Sequence, residues 1–246
     1  ESRVAIQNFI GAALSEEIIF TKGTTDSLNL VASTWGEKFI KENDTILITE
    51  MEHHANIVPW QILAEKKSAN LKFIPVLDDG TLDLNVFENI LKNSPPKIVS
   101  ISACSNTLGT MNDLKFIIAE AHKVGAIAIV DGAQIVSQKK INVQEIDADF
   151  FAFSAHKMFA PFGFGALYGK KSLLEAMPPY QYGGSMISEV RMNKSTFNQL
   201  PFKFEAGTPH VEGAIGTLEA IRFINNIGLE DIHAWDQELL KYGTEK

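Results

Sequence analysis

Short runs of β-branched and aromatic residues alternate with longer stretches of helical periodicity along almost the whole chain. Strands are expected over residues 17–21, 45–49, 71–76, 97–102, 126–131, 149–154 and 163–169. Helical patterns fill residues 25–35, 56–67, 84–91 and 114–124 between them. Ile127-Ala128-Ile129-Val130 is apolar at every position, the pattern of a strand covered on both faces. Parallel neighbours need a long crossover, which a helix supplies. The rhythm therefore predicts an α/β fold, a three-layer sandwich around a mostly parallel sheet. An amphipathic helix opens the chain (Val4, Ile6, Phe9, Ile10, Leu14). After residue 169 the alternation stops. Residues 177–209, rich in Pro, Gly, Tyr and Ser, read as an irregular stretch too long for a simple connection. Two further helices are expected at 211–226 and 229–242, with Gly228 between them as a stop.

Composition narrows the picture further. With 246 residues, 45% hydrophobic and 21% charged, the chain is ordinary globular protein, and disorder, collagen and coiled coil are poor readings. Thirty acidic against 22 basic residues give a net charge of −8 and no basic block, so neither nucleic acid nor an anionic membrane is an expected partner. The single cysteine, Cys104, excludes an internal disulfide and fits a cytoplasmic or other reducing compartment. No apolar run reaches the ~20 residues of a membrane span. Both ends fall inside helical patterns, and the expectation is a fragment: one large domain over residues 1–246, without an N-terminal segment and a smaller C-terminal domain.

In open α/β sheets, ligands bind outside the carboxyl ends of the strands. Five expected strand ends carry polar groups: Thr24 and Thr25; Glu52-His53-His54; Ser105-Asn106; Asp131 with Gln134; and Ser154 with His156-Lys157. Lys22-Gly23-Thr24-Thr25 suits either a phosphate at a helix N-terminus or an ordinary helix cap. Asp131, at the mouth of a strand too apolar to be exposed, needs a cationic or hydrogen-bonding partner. A protonated pyridine nitrogen is one such partner; the N-terminus of a helix over residues 132–136, capped by the carboxylate, is the other. Lys157 lies just past an aromatic strand, where a lysine can form a Schiff base with an aldehyde cofactor or simply sit in solvent. Adjacent His53 and His54 lack metal-site spacing, and no H-x-x-x-H or C-x-x-C occurs, so no metal site is expected. Cys104 has no visible activating neighbour and reads as a buried, inert thiol.

Six segments occur together and in order: Thr21-Lys-Gly-Thr-Thr25, Glu52-His-His-Ala-Asn-Ile-Val-Pro-Trp60, Ser105-Asn-Thr-Leu-Gly-Thr110, Asp131-Gly-Ala-Gln134, Ser154-Ala-His-Lys157 and Phe204-Glu-Ala-Gly-Thr-Pro209. Together they resemble the class V aminotransferase family of fold-type I (aspartate aminotransferase-like) enzymes, and within it the SufS/Csd-type cysteine desulfurases, also called selenocysteine lyases. The resemblance implies a large domain that binds pyridoxal 5′-phosphate. Lys157 would bond the cofactor's aldehyde and move protons at the substrate Cα, Asp131 would pair with the pyridinium nitrogen, Gln134 would bond the ring oxygen, and His53 would stack on the ring. Thr24, Thr25, Ser154 and His156 would hold the phosphate, and Asn106 would lie near ring and substrate. Thr208 would reach the phosphate from a partner subunit, which implies a homodimer. The implied reaction takes sulfur from L-cysteine, or selenium from selenocysteine, leaving L-alanine and an enzyme persulfide that feeds a sulfur-acceptor protein in iron–sulfur cluster assembly. The family's nucleophilic cysteine and carboxylate-binding arginine fall outside these residues. Ala155, Ala160-Pro-Phe162, Ser185 and His210 depart from the family's usual Gly, Gly-Pro-Thr, Glu and Asn. Another class V aminotransferase or epimerase, or a non-catalytic cofactor-binding unit, is the alternative.

Overall fold

A computed structural model describes residues 1–245. Seven strands form the main sheet: β1 (Ile18–Thr21), β2 (Thr45–Thr49), β3 (Asn70–Ile74), β4 (Ile98–Ser102), β5 (Ile127–Asp131), β6 (Phe150–Ser154) and β7 (Gly165–Gly169), in the order β1-β7-β6-β5-β4-β2-β3. Pairings from β3 to β6 are parallel, whereas β7 runs antiparallel to both of its neighbours. Each expected strand forms within about two residues of its expected bounds, the usual scatter of element ends.

Helices cover both faces. They are α1 (Ser2–Ile10), α2 (Thr24–Val31), α3 (Glu37–Phe39), α4 (Val58–Lys67), α5 (Leu84–Asn93), α6 (Leu114–Lys123), α7 (Lys171–Ala176), α8 (Val211–Ile227) and α9 (Leu229–Thr244). Strand side chains alternate between two separate cores. Val99, Ile101, Val130, Phe151 and Phe153 pack with residues of α1, α5, α6 and α8. Ile98, Ile129, Phe150 and Ala152 pack with residues of α2, α4 and α7 on the opposite face. Each fully buried large aliphatic or aromatic side chain contributes about 1.5–3 kcal/mol, and with both faces covered the strands show no alternation with a solvent face. Gly132 is required by the same packing, since a Cβ there would lie 2.1 Å from the Phe151 ring.

Two segments differ from the sequence expectation. The helix expected over 25–35 changes at Ala32 into a π-helical turn, Ala32–Gly36. Ser33 and Thr34 donate their hydroxyls back to the carbonyls of Asn29 and Leu30, and a Cβ on Gly36 would lie 2.5 Å from Leu63 of α4. Hydroxyl back-bonding widens a helix, and the small residue admits the neighbour. Inside the stretch expected to be irregular stands an antiparallel hairpin, β8 (Ile187–Arg191) and β9 (Lys194–Phe197), apart from the main sheet. None of its residues is fully buried, so no alternation of apolar and polar positions announces it.

Candidate functional site

The carboxyl ends of β1, β2, β4, β5 and β6 deliver their polar residues to one cleft of about 230 Å³. Nine of the ten residues singled out from the sequence line it: Thr24, Thr25, His53, Asn106, Asp131, Gln134, Ser154, His156 and Lys157. Thr208 does not. It is exposed and lines a separate cavity of about 300 Å³ with Phe20, Lys22, Asp26 and Tyr180. A wider groove of about 400 Å³ adjoins the cleft through Thr25, His53 and Ala55 and is lined by α2 and α4, but it contains neither Asp131 nor Lys157.

The turn after β1 is built on glycine. Gly23 caps α2 with φ 143°, and no side chain caps this helix end. A Cβ on Gly165 of β7 would lie 2.5 Å from Gly23 Cα, so the turn presses directly onto the sheet. Of the two readings of Lys22–Thr25, the ordinary side-chain cap is therefore absent. Thr24 instead gives its amide to Ser154 Oγ at 2.8 Å, and the two hydroxyls lie 2.9 Å apart. In this arrangement Thr24 braces Ser154, while the exposed Thr25 lies at the first turn of α2 beside His156. Helix N-terminal amides, two hydroxyls and an imidazole form a donor set that suits a phosphate.

Asp131 is the buried charge of the cleft, 5% exposed. Its Oδ1 accepts the Ala133 amide at 2.9 Å, the one hydrogen bond it receives among the described residues. Burial pushes its pKa above the usual carboxylate range, against the Ala133 hydrogen bond and the charges of Lys157 and His53. A run of turns follows in place of a regular helix, so the carboxylate caps a turn with one oxygen and keeps acceptor capacity to spare. His53 lies at the rim, its Nδ1 accepting the Ala55 amide at 3.1 Å. That bond puts the proton of the neutral ring on Nε2. His156, also exposed, stacks on Phe162 with ring centroids 5.1 Å apart. Cys104 lines the cleft but is buried, and burial raises its thiol pKa.

Beneath His53 lies a network that the sequence reading gave no role. Glu52, 7% exposed, accepts four hydrogen bonds: Thr49 Oγ1 at 2.7 Å and Ser102 N at 2.9 Å on Oε1, Asn56 Nδ2 and Ser102 Oγ at 2.6 Å each on Oε2. Asn56 Oδ1 in turn accepts Trp60 Nε1 at 2.8 Å and Ser100 Oγ at 2.6 Å. The signals were available: Glu52, Asn56 and Trp60 recur every fourth position, and Ser100 and Ser102 interrupt an apolar strand on one face.

A family model described as Aminotransferase class-V matches residues 1–246. The chain belongs to the class-V aminotransferase family. A cysteine desulfurase of Wigglesworthia glossinidia brevipalpis is 47% identical over 246 residues, covering 99% of this chain and 60% of that protein. The crystal structure of a cysteine desulfurase from Escherichia coli superposes with a TM-score of 0.96 at 34% identity, over 99% of this chain and 61% of that one. An apo cysteine desulfurase from Thermococcus onnurineus gives a TM-score of 0.95 at 40% identity, over 99% and 60%. The chain thus spans about 60% of the length of the curated relatives it matches. The fold expected of a fold-type I domain is the one observed.

The cleft also fits the cofactor that the resemblance implies. A planar pyridine aldehyde with a phosphate needs an anion cradle at one end, a buried acceptor for a ring N–H at the other, and an amine for the aldehyde. The α2 N-terminus with Thr25, Ser154 and His156 supplies the first, Asp131 the second and Lys157 the third. Among the described residues, no group of three or more His, Cys, Asp or Glu is placed to hold a metal ion, and no helix is long and apolar enough to cross a membrane.

Proposed function

We propose that the protein carrying this chain is a pyridoxal 5′-phosphate-dependent cysteine desulfurase, and that residues 1–246 are its large cofactor domain. The observation that carries this reading is the pairing of a buried, under-bonded Asp131 with Lys157 in one cleft, on a framework 47% identical to a cysteine desulfurase. Bound there, the cofactor supplies an aldehyde for the substrate's amine and a protonated ring that accepts the electron pair left at Cα. Lys157 is the amine that holds the aldehyde carbon and then moves the Cα proton. Asp131 keeps the ring nitrogen protonated by favouring its charged form. His53 would stack on the ring, Gln134 would bond its phenolic oxygen, and Asn106 would address ring and substrate, all three lining the cleft. Thr25, Ser154 and His156 bind the phosphate, with Thr24 bracing Ser154.

Sulfur leaves when a thiolate attacks the substrate's Sγ, the C–S bond breaks with its electron pair on carbon, and the protonated carbon product is alanine. Cys104 is the wrong group for that attack, because its thiol is buried and its pKa raised. The attacking cysteine and the arginine that pairs with the substrate carboxylate belong to the remainder of the protein. Thr208 is exposed on the chain's own surface, which agrees with donation to a second copy's cleft in a homodimer. Transfer of the persulfide sulfur to an acceptor protein, in a reducing compartment such as the cytoplasm, completes the reading. Incubation of the whole protein with L-cysteine and an excess of a dithiol reductant, which reduces the persulfide, should release alanine and sulfide in equal amounts. Transfer of the amine to a 2-oxo acid would identify an aminotransferase instead.

A further inference from the structure

We propose that Glu52 and Ser102 form a positioning pair that turns the Ser102 hydroxyl toward or away from the cleft floor. The inference rests on the reading of the cleft as the cofactor's seat. Ser102 ends β4, directly beside Asp131 in the parallel register, and it lines the cleft. When Glu52 is charged, Ser102 donates its hydroxyl to Oε2. When Glu52 carries a proton, that proton needs an acceptor, and two of its four partners, Asn56 Nδ2 and the Ser102 backbone N–H, can only donate, while Asn56 Oδ1 is taken by Trp60 and Ser100. Thr49 is a poor acceptor: its oxygen already takes the Met51 amide at 3.2 Å, and it is fully buried with nowhere to redirect its own hydrogen. Ser102 Oγ is left. Once it accepts from Glu52, its hydrogen must swing off the carboxyl and toward the open side, which is the cleft.

The exchange falls in a working range. Burial raises Glu52 to a pKa of about 7 against all four hydrogen bonds, and no neighbouring charge acts on it. The charged and titratable groups that line the cleft with Ser102 are Asp131 from β5, His156 and Lys157 after β6, Cys104 after β4, and His53 beside Glu52. His53 follows Glu52 in the chain, so the same anchored turn fixes its ring.

The test uses the whole protein, first free of cofactor and then loaded with pyridoxal 5′-phosphate. Infrared difference titration of the free form should show a buried carboxylic C=O stretch that vanishes with a midpoint near pH 7 and is absent in Glu52→Gln. Ser102→Ala, which removes one donor to the carboxylate, should raise that midpoint by about one pH unit. Ser102→Thr, which keeps the hydroxyl, should restore it. In the loaded protein the visible cofactor band should shift over the same pH range, and both Glu52→Gln and Ser102→Ala should lose that step while still taking up cofactor. A carboxyl that titrates near the ordinary 4.5, a midpoint indifferent to Ser102→Ala, or a band step that survives both variants would overturn the pair. If the wild type takes up no cofactor, the reading of the cleft falls and the pair's role falls with it. Uptake with a band that ignores the pair sinks the pair alone.

Discussion

Two aspartates at opposite ends of neighbouring strands, Asp131 closing β5 and Asp149 just before β6, are equally buried at 5% exposure. Their surroundings differ completely. Asp149 accepts the Ala128 amide, His122 Nε2 and Lys170 Nζ at 2.8 Å each, and Asp147 reaches the same His122 and Lys170 at 3.0 and 2.6 Å. Burial opposes charging of both Lys170 and Asp147, but their mutual hydrogen bond and charge win, raising Lys170 and lowering Asp147. Asp131 has one amide and a pKa left high by burial. The amino end of the sheet is saturated and serves folding. At the carboxyl end Asp131 holds unspent acceptor capacity, as the proposed binding role requires.

Substitutions at the two ends should therefore separate activity from stability. The largest effect belongs to Lys157→Ala: turnover of cysteine should fall at least ~1,000-fold with an unchanged melting temperature, measured by alanine release and calorimetry. Asp131→Asn should cut turnover by about 100-fold or more, because the ring nitrogen loses its charge partner. Its stability at neutral pH should hold or rise, since a desolvated carboxylate is gone. Asp149→Asn should do the reverse, costing about 2–3 kcal/mol in urea unfolding with turnover per folded molecule preserved. If Asp149→Asn abolishes turnover in well-folded protein, the division between the ends fails.

Glu52 sharpens the contrast through pH. Its folded pKa of about 7 lies above the unfolded 4.5, so between those values the folded chain holds a proton that the unfolded chain has lost. Stability from this group is thus full below about pH 4.5 and declines as pH rises toward 7, by about 3 kcal/mol. Unfolding curves across that window should slope less in Glu52→Gln than in wild type; equal slopes would contradict the burial argument. The smallest effect is expected at Lys66, paired with Glu37 on the surface at 2.5 Å, where Lys66→Ala should change stability by at most about 0.5 kcal/mol.

The strands were legible because burial on both faces leaves uninterrupted runs such as Ile127–Val130, and the cleft because strand ends collect what those runs exclude. His210 illustrates a departure that the structure absorbs: its Nδ1 accepts the Gly213 amide at 3.0 Å and caps α8. The Glu52 network was hard to read because a glutamate before two histidines looks like a polar loop until Ser102 is seen bonding it, and Ser100 bonding Asn56, from the neighbouring strand β4. The antiparallel course of β7 rests on pairing with β1 and β6, and the former joins residues well over a hundred positions apart, which no local pattern spans. Thr208 is a similar case: it is exposed and lines a cavity apart from the cleft, a placement that its local sequence does not announce.

In the proposed reading this cleft seats pyridoxal 5′-phosphate with Lys157 bonded to its aldehyde. Borohydride reduction of the cofactor-loaded protein followed by peptide mass mapping tests it most directly. The account predicts a single pyridoxyl-phosphate adduct on the peptide that contains Lys157, and none in Lys157→Ala. A protein that stays colourless and unlabelled, or an adduct on another lysine, would contradict it.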